Sequence, residues 1–355
     1  MKKEIGSIFP LSDSLVNQAE SEQAQFTNDR LYYSLCREAL GDIAHALNET
    51  PKTVLIPAYT CQTVITPFEE AGWRCEYYSI HKDLRIDTSN LLRLVEKYHP
   101  SLVVAHPYFG MDLNDEEEKI LATVKEKGVS VVLDLTQCLF SIKQYPFASF
   151  VVASYRKWMS IPDGGYLKNM TDAVRFCQPK TENDEFTDRE LAAMYLRGQY
   201  FGNGEQRTKT ISIRLSKAAD HLADSNIVPH KMSQVAYNLM QNENLEVNQQ
   251  RRFENYSYLY QNIRESDKVT KVCKNLKEVT TAPLYFTVFV KERPALQLPL
   301  AQEAIYAPVI WPVEDDRVLI NDEVKYIYDH ILAIPIDQRY DEKDMQRAVE
   351  IINNY

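Results

Sequence analysis

Lys157 lies in the run Ser154-Tyr155-Arg156-Lys157-Trp158, directly after the apolar segment Phe150-Val151-Val152-Ala153 and before Pro162-Asp163-Gly164-Gly165. A second apolar segment, Val131-Val132-Leu133, ends in Asp134, with Gln137 close behind. An amine, a carboxylate and a serine hydroxyl thus fall at the carboxyl ends of two expected strands, where open α/β sheets place ligand chemistry. Pyridoxal 5'-phosphate (PLP) demands such a set: a lysine for covalent attachment, an anion that keeps the pyridine nitrogen protonated, and donors for a phosphate.

In that chemistry Lys157 would hold the cofactor and later carry the proton between carbon and nitrogen of the substrate adduct. The competing reading is a solvated surface lysine, and the position after an apolar strand and before a glycine pair favours function. Asp134 would face the pyridinium nitrogen, or else cap a following helix. Gln137 would hydrogen-bond a ring substituent or pack as a neutral loop residue. Ser154 would reach the phosphate of the same cofactor or serve as a simple turn serine. The start of the first expected helix, around Cys36 and Arg37, is an anion site through its free backbone N–H groups and the helix dipole, a property shared by every helix start.

The elements that must position these residues follow from periodicity. Leu35, Leu40, Ile43 and Leu47 recur at helical spacing behind an N-cap expected at Ser34. Strands are expected at 53–57, 75–80, 101–105, 129–133 and 150–153, with helices between them near 64–71, 91–98 and 116–127, the first and last of these ending at Gly72 and Gly128. Strands alternating with helices imply right-handed crossovers and a mostly parallel sheet covered on both faces. Beyond Gly165 the stretch 188–222 is charged and helix-like. A second unit is expected from about Asn226, with helices at 235–240 and 253–263, strands at 284–289 and 331–334, and a closing helix at 344–352. The expected division is therefore 1–225, an N-terminal arm and large α/β domain, and 226–355, a smaller C-terminal α+β domain.

Composition narrows the function classes. A chain of 355 residues, 45% hydrophobic, exceeds one core and favours a large domain plus a small one. A net charge of −10 argues against a nucleic-acid surface, which clustered Lys and Arg would build. The first residues lack a signal-peptide apolar stretch, and no run of about 18 apolar residues occurs, so a soluble, cytoplasmic protein without membrane contact is expected. The six cysteines include no CxxC pair and the seven histidines no HxxxH group, so reduced thiols and no metal are expected.

The order of features resembles the DegT/DnrJ/EryC1/StrS family, the sugar aminotransferase branch of fold-type I PLP enzymes, over most of the chain. Leu35-Cys36-Arg37-Glu38-Ala39-Leu40 is similar to its Gly-Arg/Thr-x-Ala-Leu helix start, and Ile56-Pro57-Ala58-Tyr59-Thr60-Cys61 to its Pro-x-x-Thr strand end. His106-Pro107-Tyr108-Phe109-Gly110 matches its His-x-x-Gly loop, Asp134-Leu135-Thr136-Gln137 its Asp-x-x-Gln, and Lys157 with Gly164-Gly165 its Schiff-base lysine and glycine pair. Pro335 to Tyr340 and the last helix resemble the family's ending.

The chain also departs from that pattern. Cys36 replaces a glycine, and Cys61 stands where an aromatic stacks on the cofactor ring, so Tyr59 or Tyr108 would take that role. The Ser154 to Lys157 spacing is shorter than the family's, and Pro229-His230-Lys231-Met232 replaces the Asn-Tyr-Arg-Met whose Asn reaches a neighbouring subunit's phosphate.

The resemblance implies a homodimeric aminotransferase of the PLP-dependent transferase fold type I, moving an amino group from a donor such as glutamate to a nucleotide-linked keto-sugar. Two other readings stay open: a different PLP reaction (amino-acid aminotransferase, lyase or decarboxylase), and a non-catalytic protein that retains the fold. Trp311, between Pro308 and Pro312, would stack on a nucleotide or fill the small-domain core.

Overall fold

The computed structural model describes residues 2–11, 25–47, 51–225 and 227–355; Asn226, at the expected boundary, and residues 12–24 of the expected N-terminal arm lie outside them. The class is α/β, with a seven-stranded, mostly parallel sheet and a three-stranded antiparallel sheet. By density of contacts the chain groups into two interleaved units, one made of Ile8–Asn48 with Phe150–Asn244, the other of Lys2–Ser7, Glu49–Ser149 and Leu245–Tyr355. This cut differs from a single boundary at residue 225, because residues distant in sequence share one core within each unit.

In the first unit, β1 (Leu31–Tyr33), β6 (Phe150–Ser154) and β7 (Gly165–Asn169) form an antiparallel ribbon in which Gly165 lies opposite both Tyr33 and Ser154. Helix α1 (Cys36–Ala46) follows β1 directly. Its N-cap is Leu35, not the expected Ser34, and no side chain caps it, because Tyr32 and Tyr33 are drawn into the ribbon and shift the helix start downstream. The charged stretch after β7 becomes two helices of 20 residues each, α5 (Asp184–Asn203) and α6 (Gln206–Ser225), separated by Gly204 in the left-handed region. Phe186 of α5 and Ala219 and Ala223 of α6 close on Leu35 as a buried cluster.

In the second unit, β2 (Thr53–Pro57), β3 (Arg74–Tyr78), β4 (Leu102–Ala105) and β5 (Ser130–Asp134) pair in parallel in the order β5-β4-β2-β3. β2 and β4 are buried along their whole length, as the continuous apolar runs Thr53-Val54-Leu55-Ile56-Pro57 and Leu102-Val103-Val104-Ala105 require. The crossover helices are α2 (Gln62–Glu70), α3 (Thr88–Tyr98) and α4 (Asp115–Glu126). α4 opens on a capping box, Asn114 accepting from Glu117 N and the Glu117 carboxylate accepting from Asn114 N. The antiparallel sheet comprises β8 (Val269–Lys271), β9 (Tyr285–Val290) and β10 (Ile331–Pro335). No helix among the described residues is long and apolar enough to cross a membrane, and no group of three or more His, Cys, Asp or Glu there is arranged to hold a metal.

Gly165 is a tight constraint on the first unit's geometry next to the Lys157 turn. A Cβ built on it would lie 2.6 Å from Cys36 N and 2.9 Å from Cys36 Cα, both backbone atoms that cannot swing aside. Gly165→Ala is therefore expected to cost on the order of 1–3 kcal/mol through forced separation of β7 from the start of α1. Gly128→Ala, with nothing within 4 Å of its Cβ but a φ of +84°, should cost only about 1 kcal/mol of backbone strain. Urea unfolding of the two variants checks the order; equal midpoints would contradict it.

Candidate active site

Lys157 sits in a tight turn after β6, closed by Trp158 N donating to Tyr155 O at 2.9 Å. From Phe147 to Lys168 it is the one exposed residue, every other being buried or half-buried. Trp158 and Met159 anchor the turn inward at 1% exposure each. The chain returns through Gly164, whose carbonyl accepts from Tyr155 N at 2.9 Å and Arg156 N at 3.4 Å and whose N–H donates to Ser34 O at 2.6 Å. The first unit thus brings the Lys157 turn, the end of β6 at Ser154, and the start of α1 at Cys36 onto one glycine pair.

Around that helix start the sequence expectations divide. Cys36 is half-buried as the first helical residue. The Arg37 guanidinium pairs with Asp224 and donates to Ala223 O at the end of α6, so its side chain is engaged there while the expected anion site concerns its backbone N–H. The Ser34 hydroxyl, fully buried, has no hydrogen-bond partner. Sequence reasoning used Ser34 only as a cap and missed it as a donor.

Glu38, in the first turn of α1, was also missed. Its carboxylate accepts from His230 N at 3.0 Å and lies 3.1 Å from His230 Nδ1. Burial raises Glu38 above its ordinary range against the lowering by His230, and the Glu38 hydrogen bond raises His230. The Pro229 to Met232 stretch that departs from the family pattern is therefore a contact within the chain. The signal was the acid three residues past Leu35, the spacing of a capping residue.

In the second unit Asp134 ends β5, is 6% exposed, and accepts from Thr136 N at 2.8 Å. No helix follows it, so the alternative of a helix cap gives way to an Asx-type turn. Gln137 is buried, accepting from Phe109 N at 3.0 Å through Oε1 while its carbonyl accepts from Gly110 N. Tyr59 and Tyr108 stack with centroids 5.6 Å apart, and Tyr108 donates to Tyr59 O at 2.6 Å. Burial raises both phenols well above their ordinary value. Both rings are buried, at 0% and 1% exposure. The buried Tyr59 hydroxyl has no hydrogen-bond partner. Cys61 remains half-buried at the cap of α2, its sulfur accepting from Thr63 Oγ1. Trp311, half-buried, packs at 5.2 Å on Tyr59 and 5.9 Å on His106.

PLP fits these residue types. An accessible lysine amine, a buried carboxylate at a strand end, and an orphaned serine hydroxyl beside a helix start are the residue types its three demands call for.

Asp163, between the turn and the glycine pair, is fully buried and accepts from Ser233 N at 3.0 Å, Ser233 Oγ at 2.8 Å and Thr187 Oγ1 at 3.3 Å. Burial pushes it up to about 7 from an ordinary 3.8, against the lowering by Ser233. A carboxyl raised on folding stabilises the fold fully below its unfolded value and loses that contribution as pH rises through its folded one. Asp163→Asn removes this dependence. Relative to wild type, the variant is expected to be more stable at about pH 8 than at about pH 5, as thermal unfolding at the two values would read; a pH-independent difference would contradict it.

No family model and no curated protein matches the sequence. Solved structures do. The sugar aminotransferase CalS13 of Micromonospora echinospora is 13% identical with a TM-score of 0.67, the match covering 100% of each chain. The PLP-form of the putative sugar aminotransferase Spr1654 of Streptococcus pneumoniae is 12% identical with a TM-score of 0.70, over 99% of this chain and 98% of that one. DesI, solved in the presence of its TDP-sugar product, is 16% identical with a TM-score of 0.64, over 98% of this chain and 86% of that one. At the level of the fold, the resemblance read from the sequence holds over the whole chain: it has the fold of the PLP-dependent sugar aminotransferases.

Proposed function

We propose that this chain is a PLP-dependent aminotransferase that moves an amino group from an amino acid, with glutamate the expected donor, to a keto-sugar carried on a nucleotide. The observation that carries this reading is the exposure of Lys157 alone in an otherwise buried segment at the end of β6, in a chain of this fold. When bound, PLP supplies an electron-withdrawing ring joined to the carbon at which amines exchange. Lys157 would hold it covalently and, once released by the donor amine, move the proton between carbon and nitrogen of the substrate. Asp134 offers the carboxylate that keeps the ring nitrogen protonated. Ser154, Ser34 and the first N–H groups of α1 offer donors for the phosphate.

The nucleotide-linked acceptor is supported by DesI and its TDP-sugar product. With only ten glycines in the chain there is no glycine-rich nucleotide cradle, so side chains must supply the contacts, and Trp311 offers a half-exposed aromatic face for them. A homodimer belongs to the same reading, and sedimentation should show twice the chain mass.

Absorption spectra with added PLP, for wild type and Lys157→Ala, test the assignment. A long-wavelength band that requires Lys157 and bleaches with L-glutamate is expected. A Lys157-dependent band indifferent to L-glutamate would point to another donor or a different PLP reaction, and no band in wild type would leave the non-catalytic reading. Asp134→Ala should still form the band but lose about 10²–10³-fold in turnover, the usual scale for removing one preorganised electrostatic partner; undiminished turnover would remove Asp134 from the site.

A further inference from the structure

The residues on either side of Lys157 dock on the helical pair that follows β7. Arg156 lies 5.4 Å over the Phe186 ring of α5 and 3.4 Å from Asp220 of α6. It also lowers the buried Glu190 of α5 electrostatically, against the raising by burial. Asp163 takes three hydrogen bonds, one from Thr187 of α5 and two from Ser233, which caps α7 (Gln234–Gln241) by accepting from Ala236 N. Between these two anchors, Trp158, Met159 and Ile161 are buried at 1–3% exposure. The turn is thus pinned at both ends, and the lysine is its one exposed residue.

A buried carboxylate is costly unless hydrogen bonds or a counter-charge offset its desolvation, and Asp163 is held by three hydrogen bonds. Nothing in the proposed chemistry uses Asp163, yet its carboxylate joins the return arm of the turn to two helices. We propose that Asp163 and Arg156 are positioning residues that hold the Lys157 turn against α5 and α7 and so fix the point from which the amine emerges. The inference deepens the reading of Lys157 as the functional amine and rests on it for its consequence, while the pinning itself is testable without cofactor.

The experiment is amide hydrogen exchange on the full chain for wild type, Asp163→Asn and Arg156→Gln, followed on the same proteins by PLP titration with circular dichroism in the visible band. Each variant is expected to raise exchange over residues 155–165 by about tenfold, the loss of roughly one buried hydrogen-bonded anchor, with β9 unchanged. Where the band forms, its dichroism per unit absorbance should fall because the attached ring is less uniquely oriented.

Unchanged exchange over 155–165 in both variants would overturn the proposal. So would exchange that rises equally in β9, because the residues would then hold the fold rather than the turn. Should Asp163→Asn unfold, Arg156→Gln decides, its side chain being 24% exposed and at the margin of the core. A wild type with no band defeats the proposed function but leaves the exchange result standing, so the two failures are told apart.

Discussion

Much of the first unit depends on one close passage of backbone past backbone, that of Gly165 against the first residue of α1. Gly165 is also the ladder partner of Ser154 and of Tyr33. A single residue without a side chain thereby sets the spacing between the end of β6, the ribbon edge at β1 and the start of the helix. Gly164 continues the effect, binding Ser34 with its N–H and the Lys157 turn with its carbonyl. The glycine pair acts as a geometric spacer whose two neighbours carry the chemistry.

Such closeness leaves no room for water, so the polar groups nearby must find partners within the protein. Most do. Glu38 is matched by His230, and Asp163 by Ser233 and Thr187. In the second unit, Glu117 is matched by Arg85 and backbone N–H groups, and Asp337 by Arg339. Glu38 and Asp163 of the first unit are matched without a guanidinium. They rely on hydroxyls, amides and a histidine, so burial dominates and lifts them toward neutrality. Asp337 has two arginines acting on it and stays low despite equal burial. Against this background of satisfied groups, the orphaned hydroxyls of Ser34 and Tyr59 stand out as places where the chain alone does not complete the hydrogen bonding.

The parallel block of the second unit was legible because its strands are runs of β-branched and aliphatic residues and its helices carry their own stop signals at Gly72 and Gly128. The helix Asp322–His330 escaped reading despite its Asn321 cap, and several other missed elements lack a local signature. β7, Gly165-Tyr166-Leu167-Lys168-Asn169, alternates poorly and begins in glycine; β1 spans three residues; and the helix Arg293–Gln302 contains two prolines. Each is held by what it pairs with or packs on, a property of the fold that no window of sequence contains.

By itself the sequence determined the candidate residue types and their places at strand ends, since Lys157, Ser154 and Asp134 follow directly from where apolar runs stop. It also carried the glycine pair and, through the resemblance, the fold. Tertiary structure decided what each side chain is free to do. Arg37 is spent on Asp224, and the Tyr59 and Tyr108 rings are enclosed by their neighbours. Asp163, indistinguishable in the sequence from a turn aspartate, is buried among three hydrogen bonds. The reason is that residue type and chain position are local properties, whereas exposure and hydrogen-bond partnership depend on segments brought together from far along the chain.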